Sequence, residues 1–339
     1  MSKVLSFGEL LLRICPDAGG QWLQDNQLPF YVGGAEANVA TALAQWDLPS
    51  AYLTALPQNF LSEQLVGYLQ SRGIQTDATV YQGERIGLYY LPKGKDLKNA
   101  GVIYDRAHSA FADLKPGTIA WDEVFAGVSW FHFSAICPAI NQDVADVCAE
   151  ALKAAAQMNI TISLDLNYRA KLWKYGKDPV AVMPLLAQYC DLIMGNIWAA
   201  HNMLGIGLDE QLISSLDKQH LLEQALRSSE EIIRQFPRCK VVANTFRFDY
   251  KQGIRYFTTL YTDGELHQSQ EYLLDQILDK VGSGDCFMAG LIYGFYHKRE
   301  PADTLAFATA AAVNKLFILS DATTSTVADI EKTLHTYAR

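Results

Sequence analysis

Short apolar segments alternate with longer segments of helical period along most of this 339-residue chain. The apolar segments predict buried strands at 4–7, 50–56, 129–134, 160–166, 192–195 and 240–245. The amphipathic segments predict helices at 35–46, 61–72, 142–158, 221–235 and 286–297. Because strands that alternate with helices return in the same direction, this order predicts an α/β fold with a parallel sheet covered by helices.

Two stretches, 10–32 and 83–106, do not follow this alternation. Residues 86–91 and 102–106 alternate in polarity and are joined through Lys93-Gly94-Lys95, which predicts an antiparallel lid. Val102, Tyr104 and Arg106 should project to one face, since side chains alternate along a strand. The alternative is a plain edge hairpin with Tyr104 and Arg106 at the surface. We therefore expect one domain over residues 1–339, carrying this lid.

The charge balance bears on the class of partner. Lys and Arg number 28 against 37 Asp and Glu, which gives a formal net charge of −9. The sequence contains no run of basic residues that could follow a phosphate backbone. Nucleic acid is therefore not expected as a partner. No apolar stretch reaches the length of a membrane span, and no membrane partner is expected. The six cysteines are far apart in sequence, which favours reduced thiols in a cytoplasmic protein.

The segment Gly282-Ser283-Gly284-Asp285 leads into the predicted helix 286–297. Two glycines around one small residue let backbone N–H groups converge on an anion beside the positive end of a helix. Asp285 would repel a phosphate bound there unless it served as a general base for a hydroxyl. The alternative is that Asp285 only caps the helix.

Common phosphate-binding motifs are missing from the sequence. It contains no GxxxxGK[ST], no GxGxxG and no HRD and DFG pair. A different type of phosphotransferase, or a protein that only binds its ligands, remains open. An NAD-dependent oxidoreductase is disfavoured because it would need the GxGxxG motif.

Over nearly its full length the sequence resembles the ribokinase-like (PfkB-type) carbohydrate kinases. Gly33-Gly34, followed by Asn38, Ala40, Leu43 and Ala44, is similar to the amino-terminal pattern GGxxxNxAxxLA. Asp279 to Asp285, with Phe287 and Gly290, is similar to the carboxy-terminal pattern DxxGxGDxFxxG. Residues 165–169 resemble the DxNxR motif, at the strand end where open parallel sheets bind ligands.

Within this family the chain resembles the 2-keto-3-deoxygluconate kinases, through residues 87–89, 104–106, 131–136 and 167–169. The resemblance implies a ribokinase-like three-layer fold with a small β lid, a sugar or sugar-acid substrate, and ATP and Mg²⁺ as cofactors. It implies Asp285 as the base and Gly282, Ser283 and Gly284 as a backbone anion hole. The implied sugar site comprises Gly33, Gly34, Asn38, Tyr89, Tyr104, Arg106, Ile136 and Arg169. The implied nucleotide site includes Asn196, Thr245, Gly282, Gly284 and Thr309.

Two arginines, Arg106 and Arg169, could clamp a substrate carboxylate by paired N–H bonds. A neutral sugar would not need such a pair, which favours a sugar acid. The resemblance implies 2-keto-3-deoxygluconate, phosphorylated at its terminal hydroxyl. A kinase of fructose or ribose, and a non-catalytic relative, stay open. The resemblance also implies a homo-oligomer through the lid, whose exposed strands would need cover.

The sequence departs from the family patterns mainly on the nucleotide side. Ala199 stands where the NxxE motif has its glutamate, so no residue can be assigned to the metal. The expected glycine-rich loop reads Val242-Ala243-Asn244-Thr245-Phe246-Arg247. Thr309 replaces the usual amide or imidazole, and Ser320 replaces a glycine.

Overall fold

The computed structural model describes residues 2–16, 22–92 and 101–337. The strands are β1 (Lys3–Phe7), β2 (Leu11–Ile14), β3 (Phe30–Gly33), β4 (Ser50–Leu53), β5 (Ala55–Leu56), β6 (Ile74–Gln75), β7 (Val80–Tyr81), β8 (Gly87–Tyr90), β9 (Ile103–Asp105), β10 (Val128–Ser134), β11 (Thr161–Asp165), β12 (Leu192–Gly195), β13 (Val241–Tyr250), β14 (Gly253–Thr262), β15 (Glu265–Gln268) and β16 (Tyr272–Leu274). The helices are α1 (Trp22–Asp25), α2 (Ala35–Gln45), α3 (Phe60–Gln70), α4 (Trp121–Val124), α5 (Gln142–Gln157), α6 (Pro179–Ala187), α7 (Ile197–Leu204), α8 (Glu210–Ile213), α9 (Lys218–Gln235), α10 (Ser283–Tyr296), α11 (Pro301–Lys315) and α12 (Val327–Tyr337).

Within the described residues, ten strands form the central sheet. Its order is β15-β14-β13-β12-β11-β10-β1-β4-β6, and β16 pairs with β14. The seven strands from β13 to β6 run parallel, whereas β14, β15 and β16 are antiparallel additions at one edge. The predicted α/β fold with a mostly parallel sheet is confirmed.

Helices cover both faces of this sheet because its strands are apolar on both sides. In β1, Leu5 and Phe7 lie in one buried cluster and Val4 lies in another on the opposite face. The same division separates Ile193 from Leu192 in β12. Three layers follow from this alternation, as expected for buried parallel strands.

The lid is a four-stranded sheet of order β3-β2-β8-β9. Its two outer pairs are antiparallel, whereas the central pair, β2 with β8, is parallel. The predicted alternation in 102–106 is seen, since Val102 and Arg106 are buried and Ile103 between them is 51% exposed. The predicted connection Lys93-Gly94-Lys95 and part of the predicted 10–32 stretch lie outside the described residues.

Helix α10 has a fixed position because it packs very closely on α11. A Cβ at Gly290 would lie 2.4 Å from the Cα of Ala308, so the two backbones touch at this point. Glycine is required for such an approach. The first turn of α10 is thereby held at the carboxyl edge of the sheet.

Two expectations from composition can be compared with the structure. All six cysteines are buried thiols. Across the residues that the structure describes, no helix combines the length and apolar character needed to span a membrane.

Candidate active site

Two cavities lie where the carboxyl ends of the parallel strands meet the lid. The larger, about 540 Å³, lies among the ends of β11 and β12, the middle of β13 and residues 280–285. The smaller, about 60 Å³, lies between the lid and the start of α2. Both are lined by Tyr104, Asn167, Arg169, Val281, Gly282 and Asp285. Molecules bound in the two cavities would therefore meet beside Asp285.

The turn Gly282-Ser283-Gly284, called the phosphate turn after the anion site that the sequence predicts there, forms one wall of the larger cavity at the start of α10. Gly282 has a φ of 78°, and a Cβ there would lie 1.9 Å from the carbonyl oxygen of Asp321. The N–H of Cys286 donates to the carbonyl of Gly282 at 2.9 Å and begins the helical ladder. The amides of residues 283–285 precede that ladder, so this wall can bind an anion.

Asp285 is 8% exposed and lines both cavities. Its Oδ2 accepts a 2.7 Å hydrogen bond from the Nδ2 of Asn38. The cap of α10 is Gly282, and no side-chain hydrogen bond caps the helix. Burial raises the pKa of Asp285 to about 8, against the effect of the Asn38 hydrogen bond. The carboxyl group therefore faces both cavities and can contact a molecule bound in either one.

Arg106 and Arg169 both line the smaller cavity, but only Arg106 has a carboxylate partner among the described residues. The Nε of Arg106 donates to Glu9, which also accepts a hydrogen bond from the hydroxyl of Ser109. The clamp of Arg106 and Arg169 stays a prediction, and in the structure Glu9 balances the charge of Arg106. Arg169 is half-buried and donates to the carbonyl of Tyr168 at 3.1 Å.

Sequence reasoning missed Glu9. Its carboxylate takes the space next to Gly87, where a Cβ would lie 2.2 Å from Oε1. The available signal was an acidic residue directly after an apolar strand, at the edge of a parallel sheet where ligands bind.

Two further buried carboxyl groups near the cavities were not assigned a role from sequence. Glu36 is 2% exposed, accepts the backbone N–H of Ser134 at 2.9 Å and has a pKa raised by burial. Burial also raises the pKa of Asp165 to about 7, although the amide of Asn167 donates to it at 2.9 Å. The site is thus rich in buried carboxyl groups, and protonation of Asp165 depends on pH near neutrality.

Tyr89 joins the lid to a buried charge network. Its hydroxyl donates to Asp321 at 2.7 Å. Arg13, 1% exposed on β2, contacts Asp279 at 2.6 Å and Asp321 at 2.8 Å. Burial alone would lower the pKa of Arg13, but Asp321 and Asp279 outweigh it and raise the pKa. Since Asp279 and Asp321 flank the phosphate turn, the base of the lid is fixed to that turn.

The remaining predicted sugar-site residues lie near the smaller cavity with one exception. Gly34 and Ile136 line it, and Gly34 has a φ of 138° where a Cβ would lie 2.6 Å from the carbonyl of Glu9. Gly33 lines neither cavity. It packs instead against Asp321, whose Oδ2 would lie 2.7 Å from a Cβ at this position.

Asn196 and Thr245, predicted for the nucleotide site, line the larger cavity. Asn196 caps α7 by accepting the N–H of Ala199 at 2.9 Å, and Thr245 donates to the carbonyl of Gly195 at 3.2 Å. The structure does not bring Thr309 into either cavity. Its fully buried hydroxyl donates to the Leu305 carbonyl and lies 2.6 Å from the Thr258 hydroxyl, between α11 and β14.

No set of three or more His, Cys, Asp or Glu side chains that could hold a metal ion is found among residues 2–16, 22–92 and 101–337. The acidic residues that line the larger cavity are Asp165 and Asp285. A cation there would have to take most of its ligands from a bound molecule or from water.

The chain is similar to known proteins in sequence and in fold. The sequence profile of the pfkB family carbohydrate kinases matches residues 1–317. A 2-dehydro-3-deoxygalactonokinase from Haloferax volcanii is 26% identical over 98% of this chain and 96% of its own. The crystal structure of a 2-dehydro-3-deoxygluconokinase from Thermotoga maritima has a TM-score of 0.88 and 32% identity, and covers 99% of this chain and 100% of its own. A fructokinase from Xylella fastidiosa with bound ATP shares the fold, with a TM-score of 0.77 and 19% identity over 100% of both chains.

Proposed function

Because the chain belongs to the pfkB family of carbohydrate kinases, we propose that it phosphorylates 2-keto-3-deoxygluconate at the terminal hydroxyl, with ATP as the phosphoryl donor. The observation that carries this proposal is the position of Asp285 between two adjoining cavities, beside the amides that begin α10. The names of the Haloferax and Thermotoga relatives, both kinases of 2-dehydro-3-deoxy sugar acids, support the substrate class.

Asp285 is the proposed general base. It would accept the proton of the sugar hydroxyl as the phosphoryl group transfers, and it must be ionised to do so. A carboxyl group with a pKa of about 8 is a stronger base than an ordinary aspartate and still ionises near physiological pH. The amides of Ser283 and Gly284 would stabilise the charge on the transferring group, where one such donor is worth roughly 3 kcal/mol in other enzymes.

The larger cavity is the proposed site of ATP. Its wall at 282–285 suits phosphates, and the bound ATP of the Xylella fructokinase supports a nucleotide role for this fold. Mg²⁺, when bound with the nucleotide, would neutralise charge on the phosphates. Asp165 is the carboxylate best placed to contact it, directly or through water, because Ala199 offers none.

Arg169 is the proposed recognition residue for the substrate carboxylate. It lines both cavities and has no ion-pair partner in the described part of the chain. Arg106 donates its Nε–H to Glu9 and can offer its other N–H groups to the substrate. The pair of Arg106 and Glu9 carries no net charge, so it does not attract a carboxylate. Arg169 therefore supplies the main electrostatic attraction for a sugar acid.

The test compares ADP release with 2-keto-3-deoxygluconate, its galactonate epimer, fructose and ribose in wild type, Arg169→Ala and Arg227→Ala. Arg227 is an exposed arginine on α9 and serves as the matched control. We expect Arg169→Ala to lose roughly tenfold to a hundredfold in kcat/KM for the sugar acids only. Equal losses for acids and neutral sugars would refute the assigned role of Arg169.

A neutral sugar is the second candidate, and the Glu9–Arg106 pair favours it. That pair removes the net positive charge that would otherwise attract an acid from this side of the cavity. Faster turnover of fructose or ribose than of either sugar acid, in the same assay, would establish this alternative.

We also propose that a second copy of the chain covers the lid. Phe30 and Ile103, on the two edge strands of the lid, are 59% and 51% exposed. Sedimentation analysis of Phe30→Ser and Ile103→Ser should show dissociation, whereas Leu185→Ser, an exposed leucine on α6, should not. A monomeric wild type would contradict this proposal.

The six buried thiols suit a reducing compartment, so we propose a cytoplasmic location, which cell fractionation can test.

A further inference from the structure

We infer that Arg247 and Tyr256 bind the phosphates of the nucleotide, in place of the glycine-rich loop that this sequence lacks. The inference rests on the proposed placement of ATP in the larger cavity, which both residues line. The sequence assigned no role to either residue, because Arg247 appeared only as part of the segment 242–247 that replaces the glycine-rich loop, and Tyr256 lies on the antiparallel edge that the sequence did not predict.

The two side chains are brought together by the register of one strand pair. Arg247 on β13 is the direct partner of Tyr256 on β14. Directly opposed residues in an antiparallel pair project to the same face, here the face toward the start of α10. Arg255 projects to the other face, where its guanidinium lies over Phe248 and contacts Glu271 at 3.1 Å.

Arg247 reaches the phosphate turn itself. Its Nη1 donates to the Ser283 hydroxyl at 3.1 Å and to the Lys280 carbonyl at 3.3 Å. The amide of Ser283 is one of those that precede the helical ladder of α10. A phosphate held on these amides would therefore lie next to a planar guanidinium, the group best suited to paired phosphate contacts.

Tyr256 offers an unused polar atom at the same place. The residue is 3% exposed, and among the described residues its hydroxyl has no hydrogen-bond partner. A buried hydroxyl without a partner costs free energy in the ligand-free protein, so its retention in a cavity wall points to a ligand that satisfies it. A phosphate oxygen can accept this hydrogen bond beside the Arg247 guanidinium.

The experiment measures binding of ADP and of adenosine, without sugar, to wild type, Arg247→Ala, Tyr256→Phe and Arg255→Ala by calorimetry. We expect Arg247→Ala and Tyr256→Phe each to weaken ADP roughly tenfold to a hundredfold, since each removes a bond to a charged group. Adenosine affinity should stay within about twofold in both, because adenosine has no phosphate to lose contact with. Arg255→Ala should bind both ligands as wild type does.

Tyr256→Phe distinguishes a loss of ADP binding from a folding defect. It removes one oxygen that has no partner in the ligand-free protein, so its thermal midpoint without ligand should equal or exceed that of wild type. Unchanged ADP affinity in either cavity variant, or equal losses for ADP and adenosine, overturns the inference. No sugar is present in this binding experiment, so its outcome does not depend on which sugar the enzyme phosphorylates. A preference for another class of sugar in the ADP-release assay would contradict the proposed substrate and leave this inference unaffected.

Discussion

Replacing Asp285 by asparagine should stabilise the folded protein while it slows phosphoryl transfer. The carboxyl group is buried, and its pKa is about 8 in the folded chain against an ordinary value of 3.8. Between these two values the folded state holds a proton that the unfolded state has released. The contribution of Asp285 to the free energy of unfolding therefore falls as pH rises from about 4 to about 8. Asparagine cannot ionise and avoids this loss.

The size of the effect follows from the two pKa values. The linkage relation gives about 4 kcal/mol at pH 7 and about 2 kcal/mol at pH 5 for a carboxyl group that titrates between them. Water that enters the open cavity and relaxation of the site reduce the penalty of burial. We therefore expect a gain of roughly 1–2 kcal/mol at pH 7 and a smaller gain at pH 5.

Urea unfolding at pH 5 and pH 7 measures this gain, and coupled ADP release measures turnover. Turnover should fall roughly a hundredfold to ten-thousandfold, the usual contribution of a general base. Asp122→Asn, at an exposed position on α4, is the matched control and should change neither quantity. If Asp285→Asn is less stable than wild type at pH 7, or its gain does not shrink at pH 5, the electrostatic reasoning is wrong.

Three further substitutions test the turn and the base. Gly282→Ala should lower the thermal midpoint and abolish turnover, because the residue has a φ of 78° and its Cβ would lie 1.9 Å from a backbone oxygen. Gly284→Ala should fold normally, because nothing lies within 4 Å of a Cβ at this position. It should raise the KM for ATP, since the methyl group would occupy the space proposed for the phosphates. Equal behaviour of the two glycine variants would contradict this interpretation. Asn38→Ala removes the hydrogen bond that lowers the pKa of Asp285, so the rise of kcat/KM with pH should shift to higher pH. A pH profile identical to that of wild type would show that Asp285 does not control it.

The sequence predicted the parallel part of the sheet well, since its strands are continuous apolar segments. The predicted strand 192–195 matches β12, and the predicted helix 142–158 differs from α5 by one residue. The antiparallel edge was missed. β14 combines Tyr, Thr and Arg with apolar residues, and only the packing of α9 and α11 on either face explains its burial.

The candidate site was predicted less evenly. Backbone features such as the left-handed Gly282 have a local signature and were found from the sequence. The pairing of Arg106 with Glu9 joins residues 97 positions apart, and no local pattern indicates it. Thr309 was placed by resemblance alone, and its neighbour Thr258 on β14 satisfies its hydroxyl away from the cavities.

The Arg13 network has a consequence for how the chain is made. Arg13 emerges from the ribosome before its partners Asp279 and Asp321, which follow 266 and 308 positions later. Until they arrive, a guanidinium destined for the interior has no counter-charge, and burying it would be strongly unfavourable. The base of the lid and the phosphate turn must therefore be completed together, after residue 321 has been synthesised. A nascent chain that stops before Asp321 should have neither in place.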